Sequence, residues 1–125
     1  MLGHTNQDTI AAIATPPGEG AIALIRVSGA KAIKVTDDLF KGKKSLTRAK
    51  THTLHYGSIL GKSSEMVDDV LVSVFKKPHS YTGEDMIEIS THGNPVITQN
   101  VLGLLAESGI RPAEAGEFTK RAFLN

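Results

Sequence analysis

The 125-residue chain contains no cysteine and no tryptophan, and only two tyrosines and four phenylalanines. Without thiols there can be no disulfide framework, no thiolate metal site and no cysteine nucleophile, and the cytoplasm becomes the default compartment. The scarcity of aromatics argues against base stacking as a binding mode. Excess charge of either sign is lacking too. With 14 Lys and Arg against 13 Asp and Glu, whole-surface binding to a phosphate backbone is not indicated, and a nucleic-acid role requires a local patch or another domain. No apolar run approaches the ~20 residues of a membrane span. Met1 to Gln7 lacks the basic start and apolar middle of a signal peptide. The expectation is one soluble domain over residues 1–125 with a core of its own.

What is present is organised around residues 20–29, six apolar residues in a row interrupted near the end by Arg26. The run predicts a strand covered on both faces, with Arg26 on the face of Ile22 and Leu24. A guanidinium there needs an anion or polar acceptor at the strand's end. Asp8 to Ala14 predicts a short strand, and the turn-rich loop at 15–20 makes it an antiparallel neighbour of the first. Ala32, Ile33, Val35, Thr36 and Leu39 recur at helical spacing as far as Phe40, with Ser28 as the expected N-cap.

The basic cluster Lys41, Lys43, Lys44, Arg48 and Lys50 reads as a solvated connection in preference to a tRNA or phosphate patch, because nothing aromatic or structured is interleaved with it. Residues 51–60 and 66–75 predict a hairpin, with Val70, Val72 and Val74 on one face and Asp69, Leu71, Ser73 and Phe75 on the other. Residues 57–63 end in Gly-Lys-Ser but are one residue too short for a phosphate loop and lead to a strand instead of a helix. Residues 86–93 predict a strand with Ile87 and Ile89 toward the core and Glu88 on the opposite face. Pro95 opens a helix carrying Ile97, Val101, Leu104 and Leu105, which Gly109 stops. Gly103 within it marks a possible close packing contact. The expected order is β-β-α-β-β-β-α plus a polar and aromatic tail from about residue 110: an α+β domain with a mixed sheet.

Few constellations here carry chemistry. Of the histidines at 4, 52, 55, 79 and 92, the close pair His52 and His55 points to opposite faces of a strand and shares no metal. No Gly-x-Ser-x-Gly elbow supplies a nucleophile. Arg26 and Glu88 remain. A carboxylate accepts two parallel hydrogen bonds from a ring that presents an N–H beside an NH2, and a guanidinium satisfies ring acceptors or an acidic tail. The alternative is that the two pair with each other or with solvent.

Residues 8–22, Arg26-Val27-Ser28-Gly29, Tyr81-Thr82-Gly83-Glu84-Asp85, Glu88-Ile89, His92-Gly93 and residues 116–125 (Gly-Glu-Phe-Thr-Lys-Arg-Ala-Phe-Leu-Asn) together resemble the N-terminal domain of the bacterial tRNA modification GTPase family called MnmE or TrmE. The resemblance implies a domain that binds a tetrahydrofolate, such as the 5-formyl or methylene form. It implies a fold similar to the folate domain of the glycine-cleavage aminomethyltransferase, completed by pairing as a homodimer, with the tail exchangeable between copies. It assigns folate contacts to Arg26 and Glu88 and places Tyr81, Glu84, Arg121 and Asn125 at the site periphery. A further basic residue of the family follows the Phe-Leu-Asn motif. By the same resemblance, the whole protein acts with the flavoprotein MnmG on the wobble uridine of tRNA, while GTP, Mg and K belong to a GTPase domain outside these residues. This domain alone is not expected to be catalytic. Two positions depart from the family: Asn94 stands where a second glycine is usual, and Ala115 where proline is. Asn94 tolerates left-handed angles, so the turn is expected to survive. A structural dimerisation module without folate, or an RNA-binding α+β module, are the rival readings.

Overall fold

The computed structural model describes residues 8–16 and 18–125. Met1 to Gln7, including His4, and Pro17 of the 15–20 loop lie outside the described residues. One mixed seven-stranded sheet carries three helices. The strands are β1 (Ile10–Ile13), β2 (Ile22–Ser28), β3 (Phe40–Gly42), β4 (Thr53–Leu60), β5 (Met66–Phe75), β6 (Met86–His92) and β7 (Arg111–Pro112). The helices are α1 (Ala32–Leu39), α2 (Pro95–Glu107) and α3 (Glu117–Leu124). The spatial order is β3-β4-β5-β6-β2-β1-β7, antiparallel throughout except where β7 runs parallel to β1. The α+β class with a mixed sheet is as expected, but the expected order is incomplete: the structure adds β3 after α1, and β7 and α3 in the tail.

Alternation places Ile25 and Val27, Ile87 and Ile89, and Val70, Val72 and Val74 on one face, all buried. There they pack with Ile33 and Val35 of α1 and Val101 and Leu105 of α2 in one continuous core. The basic connection is only partly solvated, because Leu46 and Ala49, around a 3-10 turn at Leu46–Arg48, enter this core. Asn94 caps α2 through its side chain, accepting from the Val96 N–H at 2.8 Å. Its backbone is extended, with φ −112°, so the expected left-handed conformation is not used. The neighbouring Gly93 is required instead. Its N–H donates to the Ala21 carbonyl, and a Cβ on it would collide with the Gly20 carbonyl. Gly103 faces open space, so the expected close contact is absent. Gly109 ends the α2 turn with φ +94°, as expected of a helix stop.

Two further expectations change. Ser28 does not cap α1: the helix begins three residues later after Lys31, with no side-chain cap, because the Ser28 hydroxyl is held by residues far away in sequence. Nor is β2 covered on both faces. Its Ala23, Ile25 and Val27 face is buried, while Ile22 on the other face is 65% exposed. The Gly-Lys-Ser stretch forms the β4–β5 turn, where the Lys62 ammonium lies 3.2 Å from Glu107 of α2.

Candidate functional site

The second face of the sheet is open at one end and roofed at the other. Register places Arg26 of β2 directly opposite Glu88 of β6, with Ser73 of β5 next in the row. Cross-strand neighbours on one face lie within reach of a charged pair. Accordingly, Arg26 Nε donates to Glu88 Oε2 at 3.0 Å, and Nη2 lies 2.9 Å from the same oxygen. The alternative that these two pair with each other is therefore what the structure shows. The pair is not sealed, since the side chains are 26% and 22% exposed. Both contacts use Oε2, and among the described residues Oε1 has no hydrogen-bond partner.

The roof is built from the 78–85 loop and α3. The Arg26 guanidinium sits 5.6 Å from the Tyr81 ring centroid and 5.7 Å from that of Phe118, each within cation–π range. The Tyr81 hydroxyl meets the Thr119 hydroxyl at 3.0 Å, tying the loop to α3. The part-exposed charged pair thus offers a carboxylate acceptor edge beside a guanidinium that is packed against two aromatic faces.

Beneath the roof runs a polar network. The Ser28 hydroxyl donates to Glu84 Oε1 at 2.8 Å and meets the Thr82 hydroxyl at 2.7 Å, which must then donate to it. The Gly29 N–H donates to the Asp85 carbonyl at 2.9 Å. Arg121, with no exposed surface, donates to Glu84 at 3.1 Å and to Glu117 at 3.1 Å. Glu117 also accepts from Arg111 at 2.9 and 2.6 Å, and Arg111 donates to Asp8 at 3.0 Å. The Arg111 hydrogen bonds hold the Glu117 carboxyl at about 2, against its ordinary value near 4.5, despite burial acting the other way. The Arg111 guanidinium is held correspondingly further above its usual range by the same partner. Asn125 donates to the Thr82 and Arg121 carbonyls, both at 3.1 Å.

The six residues singled out from sequence thus converge on one end of one face. Arg26 and Glu88 form the floor, Tyr81 the wall, and Glu84, Arg121 and Asn125 the frame of the roof. Sequence reasoning missed Phe118 as the second ring and Ser28, Thr82, Glu117 and Arg111 as supports. Phe118 lay within the Gly-Glu-Phe-Thr motif, but nothing in its spacing identified a face.

The described residues hold no group of three or more His, Asp or Glu placed to bind a metal, and no helix is long and apolar enough to cross a membrane. Residues 9–125 match the family model described as GTP-binding protein TrmE N-terminus. The chain is similar to proteins named tRNA modification GTPase MnmE. Identity is 57% to that of Flavobacterium johnsoniae over 122 residues, 55% to that of Acholeplasma laidlawii over 117 and 53% to that of Listeria welshimeri over 118. These alignments cover 96%, 94% and 94% of this chain and 26% of each relative, so the chain spans about a quarter of their length.

Proposed function

The chain belongs to the family of GTP-binding protein TrmE N-termini, and from that premise we propose that it is the folate-binding and dimerising part of a cytoplasmic tRNA-modifying GTPase. The observation that carries the folate reading is the part-exposed Arg26–Glu88 pair beside the Tyr81 and Phe118 rings. A pterin presents an N–H beside an NH2 along one edge, and a carboxylate with one oxygen committed to Arg26 keeps the other for that edge. Arg26 holds the Glu88 side chain in place through Oε2. The Tyr81 and Phe118 rings beside it supply the aromatic surface against which a flat heterocycle would pack. The domain thereby holds a carrier of one-carbon units, 5-formyl- or methylene-tetrahydrofolate. GTP hydrolysis and the work with MnmG on the tRNA wobble uridine fall to the whole protein.

Calorimetric titration of this chain with 5-formyl-tetrahydrofolate tests the reading. One saturable site per chain that Glu88→Gln weakens is the expected result. An absence of binding, or binding indifferent to Glu88, would overturn it and leave a purely structural module.

The other end of the same sheet face supports the dimer. Leu54 and Tyr56 of β4 and Leu71 of β5 stand exposed together, Tyr56 opposite Leu71, with Ile22 of β2 across Ser90 and His92 of β6. An antiparallel sheet face left to water is normally polar. A second copy is the occupant proposed here, because a two-fold contact is self-complementary and the commonest closed arrangement. With a net charge of only +1, two copies hardly repel each other.

A further inference from the structure

We propose that the corner where the 43–50 connection meets the end of β5 is a contact surface for the phosphate backbone of RNA, with tRNA as the partner class. In the sequence the cluster looks like a stretch of solvated loop. The fold changes its composition, because the Lys76 N–H donates to Thr51 Oγ1 at 2.8 Å and the Lys76 ammonium reaches the Thr47 carbonyl at 3.5 Å. Lys76 and Lys77 therefore join Lys43, Lys44, Arg48 and Lys50. Six of the chain's fourteen Lys and Arg residues thus lie on two segments that meet through Thr47, Thr51 and Lys76, in a molecule whose net charge is only +1.

These charges are not neutralised locally. Among the described residues none of the six is in an ion pair, whereas Arg26, Arg111 and Arg121 are all paired with carboxylates. The nearby acids are committed elsewhere. Asp37 accepts from the Leu46 N–H and the Ser45 hydroxyl, Asp85 from the Lys77 N–H, and Asp38 pairs with Lys34. Unpaired cations on flexible stems suit a polyanion whose binding releases counterions.

The surroundings favour a nucleic-acid backbone over an acidic protein. No large apolar side chain is exposed in 43–50 or 76–79, so the corner lacks the apolar centre on which protein interfaces depend. The Phe75 ring beside it is not offered to bases, being packed edge-on against His52 at 5.1 Å. The contact is therefore independent of sequence and steeply salt-dependent. Lys77 leads directly into the 78–85 loop that carries Tyr81, so RNA held here lies beside the Arg26–Glu88 niche. Only that last consequence rests on the folate reading; the surface itself does not.

The test is fluorescence anisotropy of labelled tRNA with this chain between 50 and 200 mM salt. The triple variant Arg48→Gln, Lys50→Gln, Lys77→Gln is compared with Lys31→Gln, Lys62→Gln, Lys120→Gln, which removes equal charge elsewhere. The first is expected to lose at least tenfold in affinity at low salt and to flatten the slope of log K against log salt by about 2 to 3, at roughly 0.7–0.9 per lost phosphate contact. The second is expected to lose little. Equal losses in both variants, an unchanged slope, or a wild-type chain that does not bind tRNA would each overturn the proposal. So would poly-glutamate binding as tightly as tRNA, which would point to an acidic protein partner. Thermal melts confirm folding, and should the triple variant melt early, single Lys77→Gln and Arg48→Gln carry the same slope test. Titration with 5-formyl-tetrahydrofolate, unchanged in the triple variant, separates failure here from failure of the folate reading.

Discussion

At the scale of single residues, Glu88 has two duties that one substitution separates. Its Oε2 serves Arg26 and its Oε1 remains available. Glu88→Gln keeps the shape but can present a donor where the ligand also donates. The expected cost is about 2 to 5 kcal/mol in folate affinity, as when one side of a charge-assisted pair is broken in a desolvated site. Stability should fall by no more than about 1 kcal/mol, because the ion pair is partly solvated. Calorimetry and a denaturant melt on the same variant check both, and a large stability loss with intact affinity would assign Glu88 to the scaffold alone. Glu117 behaves differently. Its carboxyl is depressed from about 4.5 to about 2 by Arg111, so the folded state binds this proton less readily than the unfolded chain does. The resulting stability is complete above pH 4.5 and lost as pH falls toward 2, about 3 kcal/mol in all. Melting temperatures through that window should fall in the native chain and fall less steeply in Glu117→Gln.

At the scale of elements, what could be read from sequence followed from whether each segment's side chains alternate by burial. The β4–β5 hairpin, β6 and α2 were legible because one face of each is apolar and enters the core. Glu88 could be placed opposite Ile87 and Ile89 for the same reason. The start of α1 was misread because Ser28, a good cap by type, is claimed by Thr82 and Glu84, residues more than fifty positions away. The tail was illegible for a stronger reason. α3 inverts the usual pattern, burying Glu117 and Arg121 while leaving Phe123 88% exposed. No periodicity argument finds a helix that docks through ions. This arrangement predicts that Arg121→Met destabilises the fold by about 3 kcal/mol, the low end for breaking a buried pair, since Arg111 and Ser28 still serve its two carboxylates. Urea denaturation measures it. Because Phe118 rides on α3, folate affinity should drop together with stability.

At the scale of the whole molecule, the sheet divides its labour: one face is the core, and the other is part niche and part bare apolar surface. The bare part is the surface on which the proposed dimer is tested. We expect sedimentation equilibrium to show a dimer at tens of micromolar, on the order of the dissociation constant of a modest interface, and Leu54→Lys with Tyr56→Lys to shift it to monomer without lowering the melting temperature. A monomeric wild-type chain at that concentration would leave the exposed row unexplained.

The strand β7 also has a consequence in time. It ties residues 111–112 to residues 8–11, with the Arg111 N–H bonded to the Thr9 carbonyl and Arg111 to Asp8 across 103 positions. Contacts so distant in sequence close late, because the loop entropy must be spent before they form. During synthesis at about 5–20 residues per second, the outer edge of β1 waits on the order of 5 to 20 s for its partner. For that interval it is an open edge that a neighbouring nascent chain can join. In pulse-labelled refolding, the Arg111 and Ala113 amides should gain protection after those of the β4–β5 hairpin, which makes the arrival of β7 the moment at which the outer edge of β1 is withdrawn from neighbours.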